Sequence, residues 1–438
     1  MRAMYHRRDA NSDAPASWRV HPGAGRAAWS AEPSDGKRAS VKTSGSPARP
    51  RVAHITTSDI SLRVLLLHQL QTLQDAGFDV TGISSAGADV PAIEQGGIRH
   101  VAVPMSRRYT PLEDLRSLIE LWGVLRREKF DVVHTHTPKA GLLGQYAALL
   151  AGVPLRVHTI HGLYFPGHMN PRLRSAFVLL ERITMRFSHH NFSQSPEDMS
   201  VAVDEKISRA DRLELIGNGI DVRAFAPDLQ PPAKRSATRR SLGLTDDHLV
   251  VGMVARLVAE KGYHEMFEAA ARIHREEPRA RFIFVGGFEP EKFDAIKQDT
   301  LTKWKIDRVA QLLGHRSDMP DLYAIMDVHV LPSHREGFPR SPMEASAMGV
   351  PSVVTDVRGC RQTVDHGVTG LIVPVRDPEA LAGAILTLLR DESRRHGMGE
   401  AARQKAAREF DERIVFEKIR RTYERLLRHA AAREPQVA

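Results

Sequence analysis

"HLVVGMVARLVAEKGYHEMFEAAARIHREEPRARFIFVGG", residues 248–287, reads as a strand, a turn, a helix and a second strand. "HLVVGMVARL" and "ARFIFVGG" are short, nearly continuous apolar runs, as expected of strands covered on both faces. Between them, "GYHEMFEAAARIHREE" spaces its apolar residues for one buried face of a helix. Two such strands joined by a helix must run parallel, because antiparallel neighbours need only a tight turn.

The same alternation extends in both directions. Upstream, "RVAHITT", "FDVTGISS", "IRHVAVP", "FDVVHTH", "LRVHTIHG", "HHNFSQS" and "LELIGNGID" alternate with helical stretches such as "LRVLLLHQLQTLQDAG" and "LEDLRSLIELWGVLRREK". The proline-rich and basic text "RAFAPDLQPPAKRSATRRSLGL" then breaks the pattern, as a linker with a short helix would. Downstream come a helix in "PEKFDAIKQDTLTKW" and further segments "RVAQLLG", "MPDLYAIM" and "VHVLPS". The expected class is α/β, with two Rossmann-like doubly wound domains over 50–225 and 226–410 facing across a cleft. A terminal helix over 411–432 either caps the second domain or runs back onto the first.

The chain has 438 residues, enough for two or three cores, and its net charge is +9. Residues 1–49 read as a disordered basic tail; the first fifty residues hold nine Lys/Arg against four Asp/Glu and lack hydrophobic periodicity. The modest positive balance of the rest suits an anionic membrane face or phosphorylated small molecules. Aromatic residues make up 6% and none interleave with a basic cluster, which sets nucleic acid aside. The single cysteine, Cys360, excludes a disulfide framework and a Cys-rich zinc site, and reads as a packed thiol rather than a nucleophile. With no apolar run of roughly 18 residues and no signal-like start, the protein is expected in the cytoplasm, free or peripheral on the membrane's inner face.

In parallel sheets ligands bind beyond the carboxyl ends of strands. Arg256 follows one such strand and Lys261 precedes the next helix, so two cations over one turn suit a diphosphate, with Gly262 easing the helix entry. Glu336 follows the strand "VHVLPS" and Glu344 lies eight positions on, inside a helix beginning near Ser341. On one regular helix eight steps rise about 12 Å, so the first acid must come from a loop folded back over the helix start. Two carboxylates could mark a glycosidase, whose pair must flank one glycosidic bond, but bracketing a helix start beside a cationic clamp they suit phosphate or sugar oxygens. No Asp-x-Asp stands at a strand end to chelate a metal, consistent with the reaction without metal or cofactor that the family resemblance given below implies. His134 and His136 alternate on a strand end and share a face; as a pair without a third ligand they suit acceptor contact or packing better than a metal. Lys139, opening a helix, either touches an anionic acceptor or is an exposed first-turn lysine. Arg172, Arg174, Arg182 and Arg186 surround the apolar stripe of another helix, which either lies on anionic lipid or covers a sheet.

"REGFPRSPMEASAMGVPSVVTDVRGC…HGVTGLIVP" resembles the Glu-x7-Glu region of the retaining glycosyltransferase family 4, whose fold is GT-B. "VARLVAEKG" is similar to that family's Arg/Lys clamp, and "IGNGIDVRAF" to its interdomain Asn-Gly-Val-Asp motif. "PMSRR", "DVVHTHTPKAGLLG" and "HTIHGLYF" look like the subgroup that extends capsular, exopolysaccharide or lipid-linked glycans. The resemblance implies catalytic roles for His161, Arg256, Lys261 and Glu336. It implies substrate contacts at Gly337, Phe338, Pro339, Arg340, Ser341, Glu344, His315 and Asn218, and acceptor-side contacts at Ser58, His136 and Lys139. Partners would be a nucleotide-sugar donor, UDP-linked, and a polyprenyl-diphosphate-linked or other glycan acceptor. One departure stands out: many members carry a glycine-rich loop after the first strand, where this chain has "TTSDISLRVLL". The alternatives on the same fold are a sugar-nucleotide epimerase and a non-catalytic sugar-binding protein.

Overall fold

A computed structural model describes residues 49–106, 110–163, 169–288, 294–297 and 300–432. The expected basic tail, all but residue 49, lies outside the described residues, as do parts of the "PMSRR" and "HTIHGLYF" motifs.

Thirteen strands form two parallel sheets among the described residues. The first comprises β1 (Arg51–Ser58), β2 (Asp79–Ser85), β3 (Arg99–Ala102), β4 (Val132–His136), β5 (Leu155–Ile160), β6 (His190–Ser193) and β7 (Leu213–Leu215), in the order β3-β2-β1-β4-β5-β6-β7. The second comprises β8 (Leu249–Val254), β9 (Ala280–Val285), β10 (Ala310–Gly314), β11 (Val328–Leu331), β12 (Ser352–Thr355) and β13 (Gly370–Val373), in the order β10-β9-β8-β11-β12-β13. In each sheet the strand order reverses beside its first strand, between β1 and β4 and between β8 and β11. Crossover helices leave the sheet in opposite directions there and open a crevice at the carboxyl edge. The ends of β1, β4, β8 and β11 are therefore where ligand chemistry is placed.

Valine dominates β8, β11 and β12, whose central residues are buried under helices on both faces. The helix Tyr263–Glu276 buries Tyr263, Met266, Phe267, Ala270 and Ile273 against this sheet, the stripe its spacing announces. In the stretch expected as the next helix, only Thr300–Lys303 is helical among the described residues. Ala295 instead forms a bridge to Val258, tying this segment to the turn after β8.

The last helix, Glu412–Ala431, runs back onto the first sheet. It buries Val415, Phe416, Ile419 and Tyr423 in the same cluster as Val52, Leu70 and Phe192. Each fully buried apolar side chain of this size contributes about 1.5–3 kcal/mol, so this helix is part of the first lobe's core. Where it leaves the second lobe it pairs with the other interlobe passage: Ile220 donates to Phe410 O at 2.8 Å, and Glu412 donates to Ile220 O at 3.0 Å.

Candidate active site

The turn after β8 begins at Ala255, whose carbonyl is held by the Tyr263 hydroxyl at 2.8 Å. Arg256 is exposed in this turn, and Lys261 ends the short 3-10 turn Ala259–Lys261. The chain enters the following helix through Gly262, whose φ of +79° is left-handed. A Cβ there would stand 2.0 Å from the carbonyl oxygen of Pro332 after β11, so glycine is required both by conformation and by space. This close approach brings the ends of β8 and β11 together. Lys261 Nζ then reaches Glu336 Oε1 at 2.7 Å, and Ser333 Oγ donates to the same oxygen at 2.6 Å. The side chains of Lys261 and Glu336 are only 13% and 11% exposed, so water screens the pair weakly. An ammonium has three donors, and Glu336 takes one.

Glu336 was expected to fold back over a helix start; the structure instead turns it to Lys261. The helix Arg340–Ala347 has Pro339 at its N-cap and no side-chain capping bond. Glu344 lies within that helix, and the Tyr323 hydroxyl donates to its Oε2 at 2.9 Å and to Ser341 O at 3.2 Å. Burial pushes the Glu344 carboxyl above the ordinary glutamate range, although Arg340 and the Tyr323 hydroxyl pull the other way. Beneath the loop, Cys360 is fully buried, and burial followed by the charge of Glu336 raises its thiol well above the ordinary range. That leaves a packed thiol and no nucleophile.

The first lobe closes over this loop. Gly162 and Gly337 face each other so closely that a Cβ on Gly337 would stand 2.5 Å from His161 O. Asn218 Nδ2 donates to Phe338 O at 2.9 Å, and an Arg340 guanidinium N–H donates to Val64 O at 3.3 Å. Arg358 pairs with Asp198 at 2.7 Å, and Arg361 is bidentate to Glu197 at 2.8 and 3.2 Å. A cavity of about 80 Å³ lies at this seam, with His161, Gln194, Asn218, Arg340 and Glu412 in its wall. A hollow of about 860 Å³ lies between the helix Pro171–Phe187 and residues 206–212, which precede strands β6 and β7. It is at the amino edge of the sheet, away from the crevice where parallel sheets place their ligands.

Two protein families match the chain: "Glycosyl transferase 4-like domain" over residues 62–219 and "Glycosyl transferases group 1" over residues 234–405. Between them they span well over half its length. The chain belongs to the group 1 glycosyltransferases. It is 29% identical, over 78% of its own length and 88% of the relative's, to the UDP-Gal:alpha-D-GlcNAc-diphosphoundecaprenol alpha-1,3-galactosyltransferase of Escherichia coli. It is also 29% identical, over 87% and 98%, to the capsular polysaccharide biosynthesis glycosyltransferase CapM of Staphylococcus aureus. Among solved structures it resembles Anabaena Alr3699/HepE in complex with UDP and glucose, with a TM-score of 0.75, 23% identity, and 86% and 100% coverage. The fold of this glycosyltransferase is thus the GT-B arrangement.

Several sequence expectations change in this glycosyltransferase. Lys139 is neither exposed nor an open cation: it is 4% exposed and ion-paired with Asp114, with Ser106 Oγ at 3.3 Å. Sequence left open an acceptor contact or an exposed first-turn lysine, because it could not show that the helix Pro111–Glu128 packs Asp114 against this side chain. Two of the four arginines on the helix Pro171–Phe187 turn to protein, Arg174 to the Glu205 carboxylate and Arg182 to the Glu205 carbonyl at 2.8 Å. His315 is exposed after β10, two strands from β8. Ser58 ends β1 with its hydroxyl 3.0 Å from that of Ser61. In place of a glycine-rich loop the chain after β1 winds as a wide helical turn, Leu62–Leu66, and exposes Ile60, Val64 and Leu65.

The histidine pair has the third member that sequence reasoning did not find. His54 on β1 joins His134 and His136, with one nitrogen from each ring within 4.8 Å of the others. All three are buried, and burial lowers their basicity, that of His54 to about 3. His136 Nδ1 lies 3.0 Å from His161 Nε2, and burial brings His161 down to about 4. The ring in the cleft is neutral at physiological pH. The alternation of His134 and His136 was visible in the sequence, but the approach of His54 depends on β1 and β4 being neighbours.

Proposed function

We propose that this glycosyltransferase moves a hexose or N-acetylhexosamine from a UDP-sugar to a glycan carried on a polyprenyl diphosphate, with retention at the anomeric carbon. The observation that carries the reading is the Lys261–Glu336 pair at the switch point of the second sheet, Lys261 in the same turn as Arg256 and Glu336 next to Gly337, which lies against His161 and Gly162. Diphosphate-linked donor and acceptor are what the E. coli relative's name describes for that protein, and capsule assembly is what CapM's describes.

In this reading Arg256 and the remaining donors of Lys261 hold the diphosphate. Glu336 and the backbone of Gly337, Phe338, Pro339, Arg340 and Ser341 hold the sugar. Glu344 accepts from the ribose hydroxyls, His315 meets the base, and Asn218 holds the loop to the first lobe. Ser58 and the strand end carrying His136 face the acceptor, while Lys139 shapes that side through Asp114. The bond from the anomeric carbon to the diphosphate breaks as the acceptor oxygen attacks from the same face, and the acceptor's proton passes to a departing phosphate oxygen. Such a step needs charge stabilisation at the leaving group and orientation of two substrates more than a protein nucleophile. No metal is assigned a role.

The lipid-linked acceptor suits an exposed feature of the first lobe. The helix Pro111–Glu128 exposes Leu112 (85%), Leu115 (54%) and Ile119 (57%), spaced three and four residues apart on one outer face beside Arg116. The helix Pro138–Leu150 packs between it and Pro171–Phe187, so Leu149, Leu150, Leu173 and Leu179 extend the same side. An apolar stripe bordered by cations suits the anionic inner face of a membrane, with the enzyme peripheral and cytoplasmic. No described helix is long and apolar enough to cross one.

The test is release of UDP from UDP-sugars by the purified chain, with and without a polyprenyl-diphosphate glycan in anionic vesicles. Acceptor-dependent release with a glycosylated lipid product is expected; sugar isomerisation without UDP release would indicate the epimerase instead. Leu115→Glu/Ile119→Glu should lower transfer to the vesicle-borne acceptor about 100-fold or more and leave a short-chain, water-soluble acceptor unaffected, since each of the two apolar side chains buried is worth at least about 1.5 kcal/mol and about 1.4 kcal/mol is tenfold. Equal loss on both would remove the membrane face from the account.

Glu344 predicts a pH dependence. Its raised pKa keeps the proton on at a pH where an ordinary glutamate, near about 4.3, has lost it. A protonated carboxyl loses acceptor capacity, so donor KM should rise as pH falls, beginning above the ordinary glutamate range. Glu344→Gln should bind donor more weakly and lack this step; an unchanged KM–pH profile in the variant would refute the assignment.

A further inference from the structure

The buried histidines connect to the donor loop through a series of polar side chains, each beside the next. Starting at the loop, Asn218 Nδ2 donates to Phe338 O at 2.9 Å, and Gln194 Nε2 donates to Asn218 Oδ1 at 3.3 Å. Gln194 and His161 line the same small cavity, and the Gln194 side chain acts on the His161 ring as an acceptor, favouring a proton there. His161 Nε2 meets His136 Nδ1 at 3.0 Å, and His136 Nε2 meets His54 Nδ1 at 3.0 Å. His54 Nε2 is 3.4 Å from the hydroxyl of Tyr423 on the last helix. That hydroxyl is 2.5 Å from His134 Nδ1, and His134 Nε2 is 2.6 Å from Thr159 Oγ1. The rings of His54 and His136 are inclined by only 16° with centroids 5.2 Å apart, which fits an in-plane N–H···N bond.

A backbone carbonyl can only accept, so Phe338 O fixes the direction of every bond behind it. Asn218 must present its oxygen to Gln194, and Gln194 must present its oxygen to His161. With His161 Nε2 facing His136, the proton that Gln194 accepts sits on Nδ1. A neutral imidazole carries one N–H and one lone pair. Each ring then dictates the next: His136, His54 and His134 all hold their proton on Nδ1, and Tyr423 donates to His54 while accepting from His134. None of these nitrogens is among the buried polar atoms without a partner. Every lone pair is taken, so a metal ion at His54, His134 and His136 would have to break bonds the chain has made.

We propose that these groups form a single proton-ordered chain in which Asn218, Gln194 and Tyr423 are positioning residues that set the tautomer of His161 at the cleft. It runs from the sugar-facing loop of one lobe, through the interlobe passage, to the helix that returns from the other. Its bearing on transfer rests on the function proposed above; the tautomers themselves do not.

The measurement is long-range 1H–15N correlation of the full chain labelled at histidine, with zinc content determined on the same sample. Wild type should show Nδ1–H at His161, His136, His54 and His134 and no stoichiometric zinc. Gln194→Leu removes the acceptor that sets the direction, and His161, His136 and His54 should become tautomer mixtures. Its kcat should fall about fivefold to tenfold, the equivalent of roughly one neutral hydrogen bond, with donor KM within about twofold. Tyr423→Phe leaves the first three unchanged and flips His134 alone to Nε2–H, donating to Thr159. Nε2–H at His161 or His136 in wild type, or bound zinc lost with His54→Ala, would overturn the proposal. Because spectra need no substrate, the absence of transfer from any nucleotide sugar would sink the functional reading and leave this one standing.

Discussion

Lys261→Ala should lower kcat for sugar transfer by about 100- to 1,000-fold, the cost typical of losing one preorganised donor to a developing negative charge. The same change leaves Glu336, which is 11% exposed, with the Ser333 hydroxyl as its hydrogen-bond partner among the described residues. Breaking a buried pair from one side costs about 3–5 kcal/mol because the remaining charge is uncompensated. A drop in activity could thus come from a weakened fold, and the second variant separates the two. Lys261→Ala/Glu336→Gln removes the stranded charge and should recover most of the melting temperature, while its transfer should stay well below that of Glu336→Gln alone. If the double variant transfers as fast as Glu336→Gln, Lys261 serves the fold and not the leaving group.

Gly337→Ala should reduce kcat/KM by about 100-fold with little change in melting temperature. The added Cβ would meet His161 O at 2.5 Å, and both partners are backbone, so neither side can rotate away. The lobes must separate by part of an ångström, and misplacement on that scale costs about 100-fold when two substrates are held from opposite sides. Stability should survive, because the contact lies between lobes and not within either core. Kinetics and thermal unfolding measured together decide it: near-wild-type transfer would mean that the lobes need not approach this closely.

The two sheets were legible because parallel strands buried on both faces leave continuous apolar runs, and β8 and β9 flank a helix with an unmistakable stripe. The cation turn was legible for a related reason: Arg256 and Lys261 sit where a strand ends, and parallel sheets place ligands there. What sequence could not supply was pairing across distance. Glu336 and Lys261 are 75 residues apart, and their contact depends on Gly262 letting β8 and β11 close on each other. Tyr323, which orients Glu344, sits in the unremarked stretch "MPDLYAIM". Tyr423 reaches the histidines only because the last helix returns to the first lobe, an outcome its amphipathic pattern left open. The outward stripe of Leu112, Leu115 and Ile119 was hidden for the opposite reason, since apolar residues at helical spacing ordinarily face inward.

The claim beneath all of this is that the turn after β8 binds the diphosphate of the donor. Calorimetric titration of wild type, Arg256→Ala and Lys261→Ala with UDP and with uridine isolates that contribution, because the two ligands differ only in the phosphates. Each variant should lose about tenfold or more in affinity for UDP, the equivalent of one charge-assisted hydrogen bond, and bind uridine as wild type does. Equal affinity of all three proteins for UDP would contradict the account.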